Sequence, residues 1–259
     1  MNIAVCIKQV PTREWQPRVA DDKTWIREQD VSYEMNEPDA YALEEALRLR
    51  EKHGGEVVVC SAGPARVQQV IREALARGAD RALHVEDDRL AAADGFVTAA
   101  ALAAAMADER FDLVLTGLQS DDQGHGQVGV VLAERLGIPH STIIMDVQVE
   151  HAAGQEPATV RVKRELEGGW FQWIAMPLPA LLTIQSGINQ LRYATLKGIM
   201  AAKKKEIRKI AMAADIRTMQ QVVSLSLPTR SKQTQMIGGS PADAAKELVR
   251  RLREEARVL

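Results

Sequence analysis

A polar, glycine-containing segment at residues 118–129 carries the groups best suited to bind a ligand. This segment, the glycine loop, has the sequence LQSDDQGHGQVG and separates an apolar run at residues 113–115 from apolar residues at helical spacing. A strand that ends in such a loop and continues as a helix leaves backbone N–H groups unpaired, and the helix dipole adds positive potential. The pattern predicts an anion site, which we interpret as the phosphate site of an adenine nucleotide.

The candidate ligand groups in the glycine loop are backbone N–H groups and polar side chains. They belong to Ser120, Asp122, Gly124, Gly126, Gln127 and Val128. The alternative is a tight connection between strand and helix in which the glycines only provide the turn geometry. The loop taken alone does not distinguish these two interpretations.

The sequence lacks the common catalytic and metal-binding motifs. It contains no Gly-x-Ser-x-Gly elbow, no Walker Gly-Lys-Ser/Thr, no zinc-type Cys/His spacing and no Gly-x-Gly-x-x-Gly after its first apolar run. Cys6 and Cys60 each lie within an apolar run, which is typical of small core residues. We therefore expect no catalytic residue, no metal ligand and no disulfide.

Short apolar runs alternate with helical periodicity through the first 150 residues. The predicted strands are residues 3–7, 57–60, 82–85, 112–116 and 143–149, and the predicted helices are residues 39–52, 65–77, 91–108 and the segment after the glycine loop. This alternation predicts βαβ units and a mostly parallel, doubly wound α/β sheet. Since ligands bind at the carboxyl ends of such strands, the loops after Ile7, at residues 61–64 and at residues 118–129 are expected to form one crevice.

The pattern changes after residue 150. Residues 158–166 alternate between apolar and polar, Glu167-Gly168-Gly169 forms a turn signal, and residues 169–176 return as a second strand. This predicts a β-hairpin, at about residues 158–176, that lies across one edge of the sheet. A further apolar strand is expected at residues 181–184.

The last seventy residues are more polar. Apolar residues in the segment from residue 189 lack an evident partner in the parallel core: Leu191, Tyr193, Leu196, Ile199 and Met200. Residues 211–238 are expected to be extended, and residues 241–257 show the apolar spacing of an amphipathic helix. We therefore predict an α/β domain at residues 1–188 and an arm at residues 189–259 that docks on a partner chain.

The composition excludes several classes of function. The 259 residues are 46% hydrophobic and 26% charged with a net charge of −2, so there is no overall basic field of the kind that nucleic-acid-binding proteins use. The N-terminal MNIAVCIKQV lacks the basic and long apolar regions of a signal peptide. No run approaches the length of a membrane span. We expect a cytoplasmic protein that neither binds nucleic acid nor inserts into a membrane.

Several segments together resemble the β subunit of electron transfer flavoprotein (ETF). They are VCIKQVP, MNEPDAYALEEALRLREK, CSAGPARVQQVIREALARGADRALHVE, the glycine loop, VKRELEGG and NQLRYATLKGIMAAKKK. The last two are the most specific, because core packing does not require them. The resemblance covers most of the chain and implies an adenine-nucleotide-binding α/β domain, of the type shared by ETF and universal-stress proteins, with an added hairpin and an extended C-terminal arm.

The resemblance also implies cofactors. ETF is a heterodimer whose single FAD is held chiefly by the α subunit, while the β subunit forms a wall near the isoalloxazine ring and binds a structural AMP. The AMP pocket implied here consists of Cys6, Ile7, Asn36, Ala62, Ser120, Asp122, Gly126, Gln127 and Val128.

A docking role is implied for two further regions. Residues 193–200 resemble the family's recognition loop, in which Leu196 would insert into a pocket on an acyl-CoA or related dehydrogenase. Glu165 matches a glutamate that helps to orient the mobile flavin domain of the α subunit. A single anchor in a small interface suits a carrier that docks and releases quickly. The final acceptor would be the ETF-quinone oxidoreductase.

Two alternatives to this assignment are kept, and a third, the ATP pyrophosphatase, is set aside. In electron-bifurcating ETFs a second FAD replaces AMP; this chain lacks their Asp-Gly-Asp-Thr signature after Asp122, although its residues 127–129 are similar to that branch. We favour AMP. A stand-alone nucleotide sensor of the universal-stress type has no use for RYATLKGIMAAKKK. An ATP pyrophosphatase requires Ser-Gly-Gly-x-Asp-Ser after the first strand, where this chain has Lys-Gln-Val-Pro.

Overall fold

The core of the chain is a nine-stranded sheet. The computed structural model describes residues 1–150, 158–213, 216–228 and 234–259. The strands are β1 (Asn2–Cys6), β2 (Gln9–Pro11), β3 (Tyr33–Met35), β4 (Glu56–Gly63), β5 (Arg81–Glu86), β6 (Leu113–Gly117), β7 (His140–Glu150), β8 (Thr159–Glu165), β9 (Phe171–Pro177), β10 (Ala180–Ile184) and β11 (Ile207–Ile210). The α-helices are α1 (Glu37–His53), α2 (Gln68–Arg77), α3 (Gly95–Met106), α4 (Val128–Leu136), α5 (Leu196–Ala202) and α6 (Pro241–Glu254).

The strand order confirms the predicted mostly parallel, doubly wound α/β fold. The sheet runs β11-β5-β4-β1-β6-β10-β7-β8-β9, and every pairing from β11 to β7 is parallel. The β7–β8 and β8–β9 pairings are antiparallel. The hairpin therefore forms one edge of the sheet, as the alternating pattern predicted.

Alternate residues of the central strands face two different helical layers. In β1, Ile3 and Val5 pack in the cluster that contains the apolar faces of α1 and α2, whereas Ala4 and Cys6 pack with α3 and α4. A strand covered on both sides consists almost entirely of apolar residues, which explains the continuous apolar runs. Cys6 and Cys60 are buried free cysteines, as expected.

The stretch before α1 contains two short strands that the apolar pattern did not predict. Here β2 and β3 form a short antiparallel ribbon in which Gln9 pairs with Met35 and Pro11 pairs with Tyr33. Each strand has three residues, too few for an alternating pattern to be recognised. The ribbon brings the chain back to the sheet at Asn36, directly before α1.

The region after residue 188 contributes a helix and a strand to the compact unit that contains the sheet. Helix α5 packs on α2, and β11 pairs with β5 in parallel as the outermost strand of the sheet. The compact unit consequently extends from Met1 to Leu225, and a second unit comprises Ser226–Leu259. The pattern did not reveal β11 because it is a short edge strand in which two charged residues separate Ile207 from Ile210.

The second unit contains the predicted terminal helix. Ser240 caps α6 by accepting a hydrogen bond from the backbone N–H of Asp243, and Leu248 and Val249 are exposed. Within residues 211–238, the described parts form no helix or strand; residues 214–215 and 229–233 lie outside the described residues. None of the described helices is both long and apolar enough to cross a membrane.

Candidate functional site

A cleft at the carboxyl ends of β1, β4 and β6 is the candidate functional site. Its volume is about 860 Å³ when the solvent-open space at its mouth is included. The three loops expected to meet do contribute to its wall. The first turn of α4 and the start of α3 close it on the other side.

Most of the expected cofactor-binding residues line this cleft. They are Cys6, Ile7, Asn36, Ala62, Ser120, Gly126, Gln127 and Val128. His125 also lines the cleft. Gly124 and Asp122 do not line it; Asp122 instead lines a smaller neighbouring chamber of about 430 Å³.

The glycine loop combines turn geometry with exposed donors. Gly124 and Gly126 have φ values of +64° and +63°, in the left-handed region that favours glycine. The backbone N–H of Gly124 donates to the carbonyl of Ser120 at 2.8 Å, which closes the turn. Helix α4 then begins at Val128, and its first N–H groups have no acceptor within the helix. Since this first turn lines the cleft, the cleft has positive potential at that end.

Lys8 organises the loop, although in the sequence it marked only the end of a strand. Its Nζ lies 2.7 and 2.8 Å from the carboxylate oxygens of Asp122, 3.3 Å from Ser120 Oγ and 3.0 Å from Gln123 Oε1. This pairing neutralises a carboxylate that would otherwise repel an anion in the cleft. A lysine at the carboxyl end of the first strand, with an acidic loop after a neighbouring strand, is the signal that could have identified it.

Asn36 links the N-terminus of α1 to the same loop. Its Nδ2 donates to the carbonyl of Gln119 at 3.0 Å, and its Oδ1 accepts from the backbone N–H of Asp121 at 2.9 Å. The side chain is buried. Asn36 also lines the cleft, and its two hydrogen bonds hold the loop backbone in place.

Asp39 is a second residue that the sequence patterns did not reveal. Its carboxylate accepts hydrogen bonds from the backbone N–H groups of Lys8 at 2.7 Å and Gly117 at 2.9 Å, which joins the carboxyl ends of β1 and β6. Burial raises the pKa of Asp39 to about 7, because desolvation disfavours the charged form more than the N–H donors stabilise it. The floor of the cleft thus contains a carboxyl group that ionises near neutral pH.

The raised pKa of Asp39 leads to a stability prediction. The folded protein retains a proton that the unfolded chain releases near pH 4, so stability contributed by this group is present at low pH and is lost as pH rises through about 7. The free energy of unfolding of the wild type minus that of Asp39→Asn should therefore fall by roughly 2 kcal/mol between about pH 5 and about pH 8. Denaturant unfolding at both pH values measures it.

A matched control for this experiment is Asp87→Asn. The side-chain hydrogen bonds from Arg89 lower the pKa of Asp87 to about 2, so its ionisation lies outside the tested window. The free energy of unfolding of the wild type minus that of Asp87→Asn should be the same at both pH values. If the corresponding difference for Asp39→Asn is also the same at both pH values, Asp39 has an ordinary pKa.

The expected docking residues lie on the surface at α5. Tyr193 is 91% exposed and Leu196 is 84% exposed, and Ile199 and Met200 are also exposed. Leu191, which we expected to belong with them, instead packs against the core cluster that contains α1.

Glu165 ends β8 and pairs with Phe171 of β9 in the hairpin, away from the cleft-lining strands β1, β4 and β6 in the strand order. The described residues contain no cluster of three or more His, Cys, Asp and Glu side chains that could hold a metal ion.

Comparison with known proteins adds to this geometry. The family model of the electron transfer flavoprotein domain matches residues 23–215. The electron transfer flavoprotein subunit beta of Methylophilus methylotrophus is 36% identical over 266 residues, covering 98% of each chain. That of Thermoanaerobacterium thermosaccharolyticum is 38% identical, covering 97% of this chain and 98% of the relative. That of Bacillus subtilis is 34% identical over the full length of both chains.

Proposed function

Because this chain belongs to the electron transfer flavoprotein family and is similar over its length to β subunits, we propose that it pairs with an α subunit and carries electrons through an FAD held chiefly by that subunit. FAD supplies the one-electron and two-electron redox chemistry. In this assignment the chain has no catalytic residue of its own. It contributes a nucleotide cleft, a wall beside the flavin and a docking surface.

The cleft is proposed to bind AMP, and the single observation that carries this proposal is the first turn of α4 in the wall of a cleft that is also lined by the loops after β1, β4 and β6. The N–H groups of this turn, with Gly126 and Gln127, would hold the phosphate. Gln127 Oε1 is buried without a protein partner, which leaves an acceptor for a ligand donor. Cys6, Ile7 and Ala62 would line the base. Because the cleft joins three strand ends, this AMP would have a structural role.

The exposed residues of α5 are proposed to receive the electron donor. A leucine that is 84% exposed on a short helix, with other exposed apolar side chains around it, has the character of an anchor for an apolar pocket on an acyl-CoA or related dehydrogenase. A small interface keeps the affinity low enough for rapid release. Glu165 at the hairpin would help to orient the flavin domain of the α subunit, and electrons would leave to a quinone oxidoreductase.

Coexpression with the α subunit tests this proposal. We expect a yellow heterodimer, from which acid releases FAD and AMP in equal amounts, as measured by chromatography of the extract. The α subunit expressed alone is the control, and it should yield FAD without AMP. Two colourless chains that purify separately would overturn the assignment and would favour a stand-alone nucleotide-binding protein.

A second FAD in place of AMP is the other candidate, and one observation favours it. The smaller chamber shares Lys8, Ala62, Leu90 and Ala91 with the cleft, so the two spaces adjoin and offer room beyond a mononucleotide. An extract that contains FAD alone, at twice the concentration of the heterodimer, would support this candidate and exclude AMP.

A further inference from the structure

The exposed apolar residues at α5 belong to a segment, residues 193–200, whose two ends are bound to α1 and α2. Thr195 Oγ1 caps the helix by accepting from the backbone N–H of Gly198 at 3.0 Å. Tyr193 and Leu196 on either side of this cap project into solvent. If these side chains were mobile in the free chain, they would have to be ordered on binding, and the loss of conformational entropy would oppose docking. The contacts on either side of residues 193–200 determine whether these side chains are already ordered before binding.

The contact directly before the exposed residues is made by Arg192. Its Nε and Nη2 lie 2.8 and 3.1 Å from the two carboxylate oxygens of Glu44, and its Nη1 and Nη2 lie 2.6 and 3.2 Å from those of Glu51. The backbone N–H of Arg192 also donates to Glu44 at 3.2 Å. Forked pairing of this kind fixes orientation as well as distance. The N–H groups of the Arg192 guanidinium are therefore hydrogen-bonded to two carboxylates of α1.

The same face of α1 holds the residues before Arg192. Arg48 donates to the carbonyl of Gln190 at 3.3 Å and to Glu44 at 2.9 Å. Asn189 Nδ2 donates to Glu45 Oε2 at 3.0 Å and to a backbone carbonyl of α1. Glu44, Arg48 and Glu51 recur at helical spacing, so one stripe of α1 binds residues 190–192. Glu44 is buried, so one carboxylate of this stripe belongs to the core, whereas the side chains of Arg48 and Glu51 are about half exposed.

The other end of the exposed segment is held by α2. A Cβ on Gly198 would lie 2.3 Å from the carbonyl oxygen of Ala76, so the glycine allows α5 to approach α2 closely. Arg72 donates to the carbonyls of Ala202 and Lys205, and Lys205 Nζ donates back to carbonyls of α2 and the turn after it. Residues 193–200 thus span two fixed points.

We propose that Arg192 is a positioning residue for docking: by locking the chain against Glu44 and Glu51, it presents Leu196 to the dehydrogenase in a single orientation. The inference rests on the proposed function, in which Leu196 is the anchor. Both N–H edges of the guanidinium are hydrogen-bonded to carboxylates of this chain. Arg192 therefore acts through Leu196 and not through an ion pair with the partner. Preorganisation lowers the entropy lost on binding, so its loss should weaken docking and leave electron transfer within the complex unchanged.

The test uses Arg192→Lys in the heterodimer with its α subunit. Lysine retains a positive charge beside the buried carboxylate of Glu44, so the variant should still fold. It lacks the planar guanidinium that makes paired hydrogen bonds to a carboxylate. The electron donor is the acyl-CoA dehydrogenase that best reduces the wild-type heterodimer. We expect the KM for the heterodimer to rise about tenfold. The kcat and the FAD content should not change. Hydrogen exchange of the amides at residues 193–200 should become faster.

Arg208→Lys is the matched control. Arg208 lies on β11 in the same compact unit and pairs with Glu109 at 2.9 Å, so the same substitution there changes an arginine ion pair that does not involve residues 189–200. Its KM should equal that of the wild type. Arg192→Lys should also have no further effect on KM in a Leu196→Ala background, because both substitutions remove the same anchor.

Each other outcome has a separate meaning. If Leu196→Ala raises KM and Arg192→Lys leaves both KM and amide exchange unchanged, the positioning role is wrong while the docking proposal stands. If the effect of Arg192→Lys adds fully to that of Leu196→Ala, Arg192 acts independently of the anchor and the inference is overturned. If Leu196→Ala itself leaves KM unchanged, the docking assignment fails.

Discussion

Gly129→Val is expected to abolish nucleotide binding by the β subunit, because it forces α4 away from the sheet. A Cβ at this position would lie 2.7 Å from Thr183 Cγ2 and 2.8 Å from Thr116 Oγ1. Both threonines are buried on the strands beneath, and their short branched side chains have little freedom to move. The first turn of α4 must therefore shift, and its N–H groups are the proposed phosphate site.

The measurement for Gly129→Val is the AMP content of the purified heterodimer, together with its thermal unfolding. We expect AMP to be lost and stability to fall by about 1–3 kcal/mol, the usual cost of overpacking. A heterodimer that retains AMP in full amount would show that the start of α4 does not form the phosphate site.

Gly137→Ala is the matched control at the other end of the same helix. Gly137 ends α4 with φ of +65°, and a Cβ at this position would meet no atom within 4 Å, so alanine there costs only backbone strain, about 1 kcal/mol. Stability should decrease while AMP content remains equal to that of the wild type. The comparison separates loss of the cleft from general destabilisation of α4.

Leu196→Ala is expected to raise KM for the reducing dehydrogenase about 30-fold, the effect of removing an interface anchor worth about 2 kcal/mol. Since Leu196 is 84% exposed in this chain, its truncation costs little folding stability, and FAD and AMP contents should match the wild type. Steady-state reduction of the heterodimer by the dehydrogenase measures the effect. An unchanged KM would exclude Leu196 as the anchor.

Lys197→Ala provides the control for this substitution. Lys197 is the exposed neighbour of Leu196 on the same helix, and alanine replaces either residue without loss of helix propensity. Any effect of Lys197→Ala should disappear at high ionic strength, because it reflects a screened charge. The effect of Leu196→Ala should persist there, because it reflects apolar burial. Equal salt dependence of the two effects would contradict an apolar anchor.

The fold class could be predicted from local patterns. Strands buried on both faces, such as β1, are continuous apolar runs, and the alternating hairpin at β8 and β9 has one face towards solvent. The order of strands and helices then requires a mostly parallel sheet with ligands at its carboxyl edge. The same reasoning predicted that the loops after Ile7, at residues 61–64 and at residues 118–129 form one crevice, and residues of all three loops line the cleft.

Short elements and charged side chains could not be assigned in this way. The strands β2, β3 and β11 have three or four residues each, so they are defined by their partners and not by their own periodicity. Asp122 was expected to contact ligand from its place in the loop. In the folded chain it faces Lys8, because the end of β1 lies beside the end of β6.

The sequence by itself determined where the longer strands, the helices, the turns and most of the exposed apolar residues occur, because these depend on neighbours within a few positions. Only the tertiary structure decided which charges meet. Lys8 and Asp122 are 114 residues apart, and Arg192 and Glu44 are 148 residues apart. The electrostatics of the cleft and the support beneath Leu196 therefore depend on the strand order and helix packing that bring distant charges together.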